Sequence, residues 1–367
     1  MKNIAIFILL VLFASPLCYA QESYLYSQPE VLGDGWKTIN LKSQEVDTTL
    51  IYKLFNQIKT RKNKIHSVLL IKNNELIIEE YFKGYSVNEP HDLRSSTKSI
   101  RSILMGIAID KGFIESIDDP ISKYLKAPIP QKNLDLKKKR ITIKNLLTMS
   151  SGLDCNDWDK KSEGQEDKIY RQKDWLQYAI DLPMVYEPGT VSNYCSIGTV
   201  MVAEIISQAS GMTIDEFADK YLFVPLKITN KRWGHTSKKE VIPSAKRLYM
   251  TPRDMAKIGQ LILNNGAWNG KQIISEKWVT ESTTTKTQLS GNDYAYLWWN
   301  IPFKLGERLT TSKTASGNGG QYIIILPEMD LVAVFTGGAY NSKDANLAFA
   351  IMNDIFIPTF VNGHEKE

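Results

Sequence analysis

Three features of this sequence predict a mixed α/β (α+β) fold, in which one central antiparallel sheet is built from both chain ends and a mainly helical domain is inserted between them. Strand-type runs occur early, at 67–72 and 75–82, and again late, at 321–326 and 331–336. Between about 112 and 299 the signals are helical or irregular. Two strand-rich ends around a helical middle are most simply joined as one sheet flanked by helices. The expected partition is a leader over 1–20, an arm over 21–46, a sheet domain from 47–111 with 300–367, and a helical domain over 112–299. At 367 residues, 43% hydrophobic and 23% charged, the chain has the composition of an ordinary globular protein.

The leader reads as a secretory signal. Lys2 gives a positive start, residues 4–14 an apolar run, and Cys18 and Ala20 small residues at minus three and minus one, so cleavage is expected before Gln21 and the mature protein is expected in the periplasm or medium. The run is too short to span a bilayer comfortably and no other stretch is long enough, so no membrane span is expected. Ser15-Pro16-Leu17 ahead of Cys18 makes a poor lipoprotein signal. The two remaining cysteines, Cys155 and Cys195, are free to pair in an oxidising compartment, which the sequence leaves open. Net charge is +5, and Lys137-Lys138-Lys139-Arg140 lacks interleaved aromatics, so it reads as a solvated loop and no nucleic-acid partner is expected.

Taken in order, the arm is rich in Tyr, Ser, Pro and Gly, and a helix follows over about 47–59. The two early strands are joined by Asn73-Asn74, a pair that tolerates positive φ and so predicts a hairpin. Apolar residues Ile103, Leu104, Ile107 and Ala108 then mark a helical face, with Asp92 as a candidate cap and Lys111-Gly112 as its stop. Residues 159–174 are charged and read as a surface loop, followed by a helix over 174–180. Ile197, Val200, Met201 and Ile205 outline a buried helix stopped at Gly211, and Thr213 with Glu216 forms a capping box for the next. Thr251-Pro252 opens a helix that closes at Asn265-Gly266, and 345–355 reads as a final amphipathic helix.

The chemistry centres on Leu93-Arg94-Ser95-Ser96-Thr97-Lys98-Ser99. Residues at i and i+3 share a helical face, so Ser95 Oγ and Lys98 Nζ can meet, a hydroxyl beside the group that can take its proton. A helix start also points free backbone N–H groups at whatever lies over it, so the Ser95 N–H can help hold an oxyanion. This is the one S-x-x-K in the chain. A capping serine beside a solvated lysine is the competing reading, and the rest of the chain has to decide. The four histidines, His66, His91, His235 and His364, show no metal-ligand spacing, and there is no G-x-S-x-G elbow. Neither metal nor organic cofactor is implied.

With S-x-x-K at Ser95 to Lys98, Tyr194-Cys195-Ser196 after a Pro188-Gly189 turn, and Ala315-Ser316-Gly317 late in the chain, the sequence resembles the class C β-lactamase and penicillin-recognising serine hydrolases. Within them it is most similar in pattern to 6-aminohexanoate-oligomer hydrolases and related esterases. The resemblance runs over nearly all of the mature chain and includes Leu146-Leu147-Thr148-Met149-Ser150-Ser151-Gly152-Leu153. It implies a β-lactamase-like fold, a nucleophile at Ser95, an activating pair of Lys98 and Tyr194, and a substrate that is a small amide or ester. Ser196 stands where β-lactamases of this type carry Asn, and Ala315 where they carry Lys. Gly317 keeps the glycine that lets substrate approach, and the Asn318 N–H becomes the second oxyanion donor. Lys313 and Arg308 are the nearest replacements in sequence for the missing lysine, while Trp158, Trp298 and Trp299 are candidates for a pocket wall. The alternatives are a β-lactamase or D-alanyl-D-alanine peptidase, and a silent penicillin-binding-type sensor that keeps the fold.

Overall fold

The computed structural model describes residues 24–126, 128–234 and 243–361; the expected leader, its cleavage point, His235 and His364 lie outside them. Its centre is a nine-stranded sheet. The strands are β1 (Lys37–Thr38), β2 (Ile65–Lys72), β3 (Glu75–Tyr81), β4 (Thr287–Leu289), β5 (Asn292–Tyr294), β6 (Trp299–Leu305), β7 (Arg308–Gly317), β8 (Gln321–Leu326) and β9 (Leu331–Gly337). Their spatial order is β1-β3-β2-β9-β8-β7-β6-β5-β4, so strands from the two chain ends meet where β2 pairs with β9. All neighbours are antiparallel except β1 and β3, which are parallel. The expected boundary at 300 moves back to 287, because β4 and β5 continue the hydrogen-bonded ladder beyond β6, and the arm contributes β1.

Side chains alternate across the sheet and define two cores. Leu69, Ile71, Ile323, Ile325, Val332 and Val334 face the large helical layer. Val68, Leu70, Ile324, Leu326, Ala333 and Phe335 face the other side, covered by α1 (Thr49–Thr60) and the C-terminal helical run. Asn73 and Asn74 have φ of 52° and 64°, the left-handed geometry that a two-residue hairpin turn demands. The final helix runs on past 355 and is not regular, with a π-helical segment over Met352–Phe356 ahead of Ile357–Val361. Pro358 has no N–H to give and its ring crowds the carbonyl four residues back, so widening the preceding turn lets the helix continue.

In the helical layer α2 (Ser96–Asp110) is buried on every side from Ser96 to Ala108. Two of its polar residues reach across the layer: Ser99 Oγ donates to Leu297 O at 2.7 Å, and Arg101 donates to Thr199 Oγ1 and to the Ser244 and Lys246 carbonyls. Gly106 makes room for the Trp278 ring, which a Cβ would meet at 2.1 Å. Beside α2 lie α3 (Ser196–Ser210) and, across β2, β8 and β9, α4 (Pro252–Leu263). A small sheet of His91–Asp92, Arg247–Met250 and Lys231–Gly234 holds the segment that leads into α2.

Candidate active site

Ser95 stands at the N-terminal end of α2, in the notch between the small sheet and the C-terminal end of β7. Arg94 before it has φ 51°, and Asp92 Oδ1 accepts the Arg94 N–H at 3.0 Å while its other oxygen meets the Arg94 and Arg247 guanidinium groups, each at 3.0 Å. Asp92 is therefore not the cap of α2, because its carboxylate is already engaged by the turn that precedes the helix. Lys98 lies one turn into α2, buried, and its Nζ donates to Ser95 Oγ at 2.9 Å. The i, i+3 pairing read from the sequence is realised.

Tyr194, buried just before α3, comes up on the other side of Lys98, whose Nζ lies 4.9 Å from the ring centroid. It faces the ring, and among the described residues the Tyr194 hydroxyl has no hydrogen bond to Ser95 or Lys98. Trp158 stacks on Tyr194 at 4.9 Å with the planes 3° apart, and Trp299 flanks it at 6.1 Å. Trp298, by contrast, is fully buried in the core and belongs to no pocket wall. The cysteines are joined: the Cys155–Cys195 disulfide ties the loop bearing Trp158 to the segment bearing Tyr194. The same junction holds two further bonds, Asp157 N–H to Tyr194 O at 2.8 Å and Ser196 N–H to Asp157 Oδ2 at 2.9 Å.

A cavity of about 410 Å³ opens over Ser95 and is lined by Lys98, Ser196, Glu166, Arg247, Asn318 and Asn341 among others. Ser196 and Asn318 thus reach the site as expected. The Asn318 side chain is paired with Asn341, by side-chain donation at 2.8 Å and by acceptance of the Asn341 N–H at 2.9 Å. Gly317 is also required by packing: a Cβ there would meet the Leu93 carbonyl at 2.2 Å, so the glycine lets β7 close on the segment that leads to Ser95. Ala315 is fully buried on the helical face of the sheet and does not line the cavity. Neither Lys313 nor Arg308 replaces the missing lysine, since neither lines the cavity and Arg308 is ion-paired with Glu328 at the far end of β7. Positive charge comes instead from Arg94, Lys246 and Arg247.

Two acidic groups near Lys98 carry no motif. Burial raises the Asp157 and Glu166 carboxyls above their ordinary range, while the charge of Lys98 pulls both the other way. Glu166 sits in a short helix, Glu166–Ile169, which corrects the reading of 159–174 as a plain surface loop: Ile169 is buried and draws the turn inward against the site. The charge-rich composition hid it. Tyr340-Asn341-Ser342, a second Y-x-S, also borders the cavity through Asn341, and Tyr340 lies under the Arg94 guanidinium at 4.7 Å.

Known proteins share this fold. Residues 61–353 match the family model described as Beta-lactamase. A 6-aminohexanoate-dimer hydrolase of Paenarthrobacter ureafaciens is 22% identical over 291 residues, covering 72% of this chain and 70% of its own length. Among solved structures, a 6-aminohexanoate-dimer hydrolase candidate from Bacillus anthracis superposes with a TM-score of 0.66 at 20% identity, covering 91% of this chain and 90% of its own. A class C β-lactamase superposes at 0.61 and 16% identity, covering 86% and 96%. On the family match and the shared fold, the chain belongs to the Beta-lactamase family, whose members of this fold are serine hydrolases.

Proposed function

We propose that this protein is an exported serine hydrolase that forms an acyl-enzyme on Ser95 and acts on a small amide or ester, in the manner of 6-aminohexanoate-oligomer hydrolases and related esterases. The observation that carries the reading is the 2.9 Å contact between Lys98 Nζ and Ser95 Oγ at the floor of the cavity, with Tyr194 alongside. A serine hydroxyl attacks a carbonyl carbon only as its proton leaves; that proton goes to the Lys98 and Tyr194 pair, of which Lys98 meets Ser95 Oγ and Tyr194 faces Lys98. As the Ser95 Oγ–C bond forms, the carbonyl oxygen becomes an oxyanion, held by the Ser95 and Asn318 N–H groups. The proton then passes to the departing amine or alcohol as its bond to carbon breaks. Water repeats the sequence on the ester so formed, releasing the acid and restoring Ser95.

Substrate class follows from what lines the cavity. With Ser196 and a buried Ala315 in place of an amide and a cation, the side chains that would hold a β-lactam carboxylate are absent from β7 and α3. Arg94 and Arg247 favour a second reading, a β-lactamase or peptidase acting on an anionic substrate. Both, however, are already paired with Asp92. A neutral ester or amide needs neither. A fluorophosphonate should label the purified protein once, at Ser95, and Ser95→Ala should lose both label and turnover. The protein should also hydrolyse p-nitrophenyl butyrate with nitrocefin turned over at least tenfold less efficiently in kcat/KM. A label that persists in the alanine variant removes the nucleophile, and nitrocefin at or above the ester promotes the second reading. Export, for its part, predicts a mature N-terminus at Gln21, and it rests on the leader and on a disulfide of the kind that persists in oxidising compartments.

A further inference from the structure

A second cavity, of about 450 Å³, shares no residue with the one over Ser95. Its wall is apolar, formed by Ile121, Leu125, Ile141, Leu153, Ile180 and Met201. Its rim carries Ile129, Leu134 and Leu136, which are 68%, 76% and 76% exposed, an unusual amount of aliphatic surface for so short a stretch. Set into the same lining are Lys138 and Lys139, with one carboxylate, Asp135. Lys138 is only 8% exposed, and its ammonium donates to the Ile180 carbonyl at 2.6 Å and the Lys132 carbonyl at 3.3 Å, which uses two of its three N–H donors. So the run read from sequence as a solvated loop contains a buried cation. Among the described residues no carboxylate lies within ion-pair distance of Lys138 or Lys139. Asp135 and Asp181 are the acidic groups that act on Lys138, and both are occupied by backbone N–H groups, of Lys137 in one case and of Gln131 and Lys132 in the other. A buried ammonium at the edge of an apolar hole, hydrogen-bonded by carbonyls and acted on by carboxylates only from beyond ion-pair distance, has room for a directly paired anion.

We propose that this cavity binds a single unbranched alkyl chain with an anionic head, the chain against Leu125, Ile180 and Met201 and the head at Lys138 and Lys139. Its size falls within the range of small-molecule pockets, and its chemistry divides as such a ligand divides, apolar within and cationic at the rim. The site adjoins the proposed active site through one helix: α3 turns Ser196, Thr199 and Val200 to the cavity over Ser95 and Met201 to this one.

The test is calorimetric titration of the full protein with laurate below its critical micelle concentration, with decanoate and dodecyltrimethylammonium alongside. Saturable 1:1 binding of laurate is expected, weaker for decanoate by about fourfold per methylene removed, as apolar burial of each methylene requires. Binding of the cationic amphiphile should be at least tenfold weaker. Met201→Trp, which fills the hole, should abolish binding. Ile129→Lys and Lys139→Glu are changes at exposed rim positions that leave the core untouched, and each should weaken laurate severalfold with an unchanged thermal melt. Co-sedimentation with phosphatidylglycerol vesicles, against phosphatidylcholine, asks whether a bilayer lipid supplies the same chain and head; pelleting that Met201→Trp and Ile129→Lys both lose assigns the site to membrane lipid, and laurate binding without pelleting assigns it to a free acid. Absence of saturable laurate binding, equal affinity for the cationic amphiphile, or binding and pelleting indifferent to all three variants overturns the proposal.

Discussion

Ser95 and Lys98 are neighbours because a helix brings positions three apart together, and Tyr194 lies over Lys98 on a segment that a disulfide and an aromatic stack tie to the loop bearing Trp158. If Tyr194 relays the proton while Lys98 sets its charge, Tyr194→Phe should lower kcat for the ester by roughly 10²–10⁴-fold, the loss of one general base, with an unchanged circular dichroism spectrum. Lys98→Ala should cost a similar factor, and the double variant little more than either, because groups acting as one unit are strongly non-additive. Turnover near wild type in Tyr194→Phe would leave Lys98 as the sole base. The contact of Ser95 with Lys98 and the nearness of Tyr194 were legible from spacing and order, and the placing of Ser196 and Asn318 at the cavity followed from the family pattern. Glu166, Arg247 and Asn341 were not, because each belongs to a different segment and reaches the cavity only through tertiary packing, and Asp157 meets the site only through its bond with the Ser196 N–H. Lys313 misled for a related reason: proximity in sequence to Ala315 along a strand does not bring a side chain over the cavity.

Elements with local chemistry were the ones the sequence disclosed. Asn73-Asn74 carries its own turn geometry, and Thr213 with Glu216 forms the capping box in both directions, so neither depends on distant contacts. The short Glu166–Ile169 helix and the π-helical turn before Pro358 depend on burial and on a steric conflict several residues away, which composition does not display. The disulfide, closing a span of 40 residues, is the element with the clearest energetic consequence. Replacing both cysteines by serine, or reducing the protein, should lower unfolding free energy by roughly 2–5 kcal/mol in a urea titration and should lower ester turnover as well, since it frees the Trp158 and Tyr194 segments from each other. An unchanged midpoint with full activity would show that packing alone holds the junction. A pH effect belongs to another element. His66 and His91 flank Tyr85 in a stack, at 3.9 and 4.8 Å between ring centroids, and burial pushes both imidazoles down to about 4, with Lys83 and Lys64 adding to the effect at His66 and His66 at His91. The folded protein keeps them neutral where the unfolded chain, with an ordinary histidine near 6.5, binds protons, so their contribution is present above about 6.5 and is lost as pH falls from there toward 4. Melting temperature should drop across that window, and His66→Gln with His91→Gln should flatten the drop.

At the scale of the whole molecule, the antiparallel sheet from both chain ends with helices between was legible, since strand periodicity at the two ends and helical periodicity in the middle leave few ways to bury all the apolar faces. The edges were not: β1, β4 and β5 have two or three residues each, too few to show a period. The seam where β2 meets β9 joins Leu69 to Val334, two positions far apart along the chain. During synthesis the early hairpin therefore waits with one apolar edge open until almost all of the remaining chain has emerged, and α2 has no strand floor to settle on until then. Order of manufacture thus opposes order of assembly: the piece that carries Ser95 is made well before β7 and β8, the strands on which it comes to rest. An early release of the ribosome leaves an exposed strand edge, and long-range pairing of this kind closes slowly because a large loop must be ordered before any contact rewards it.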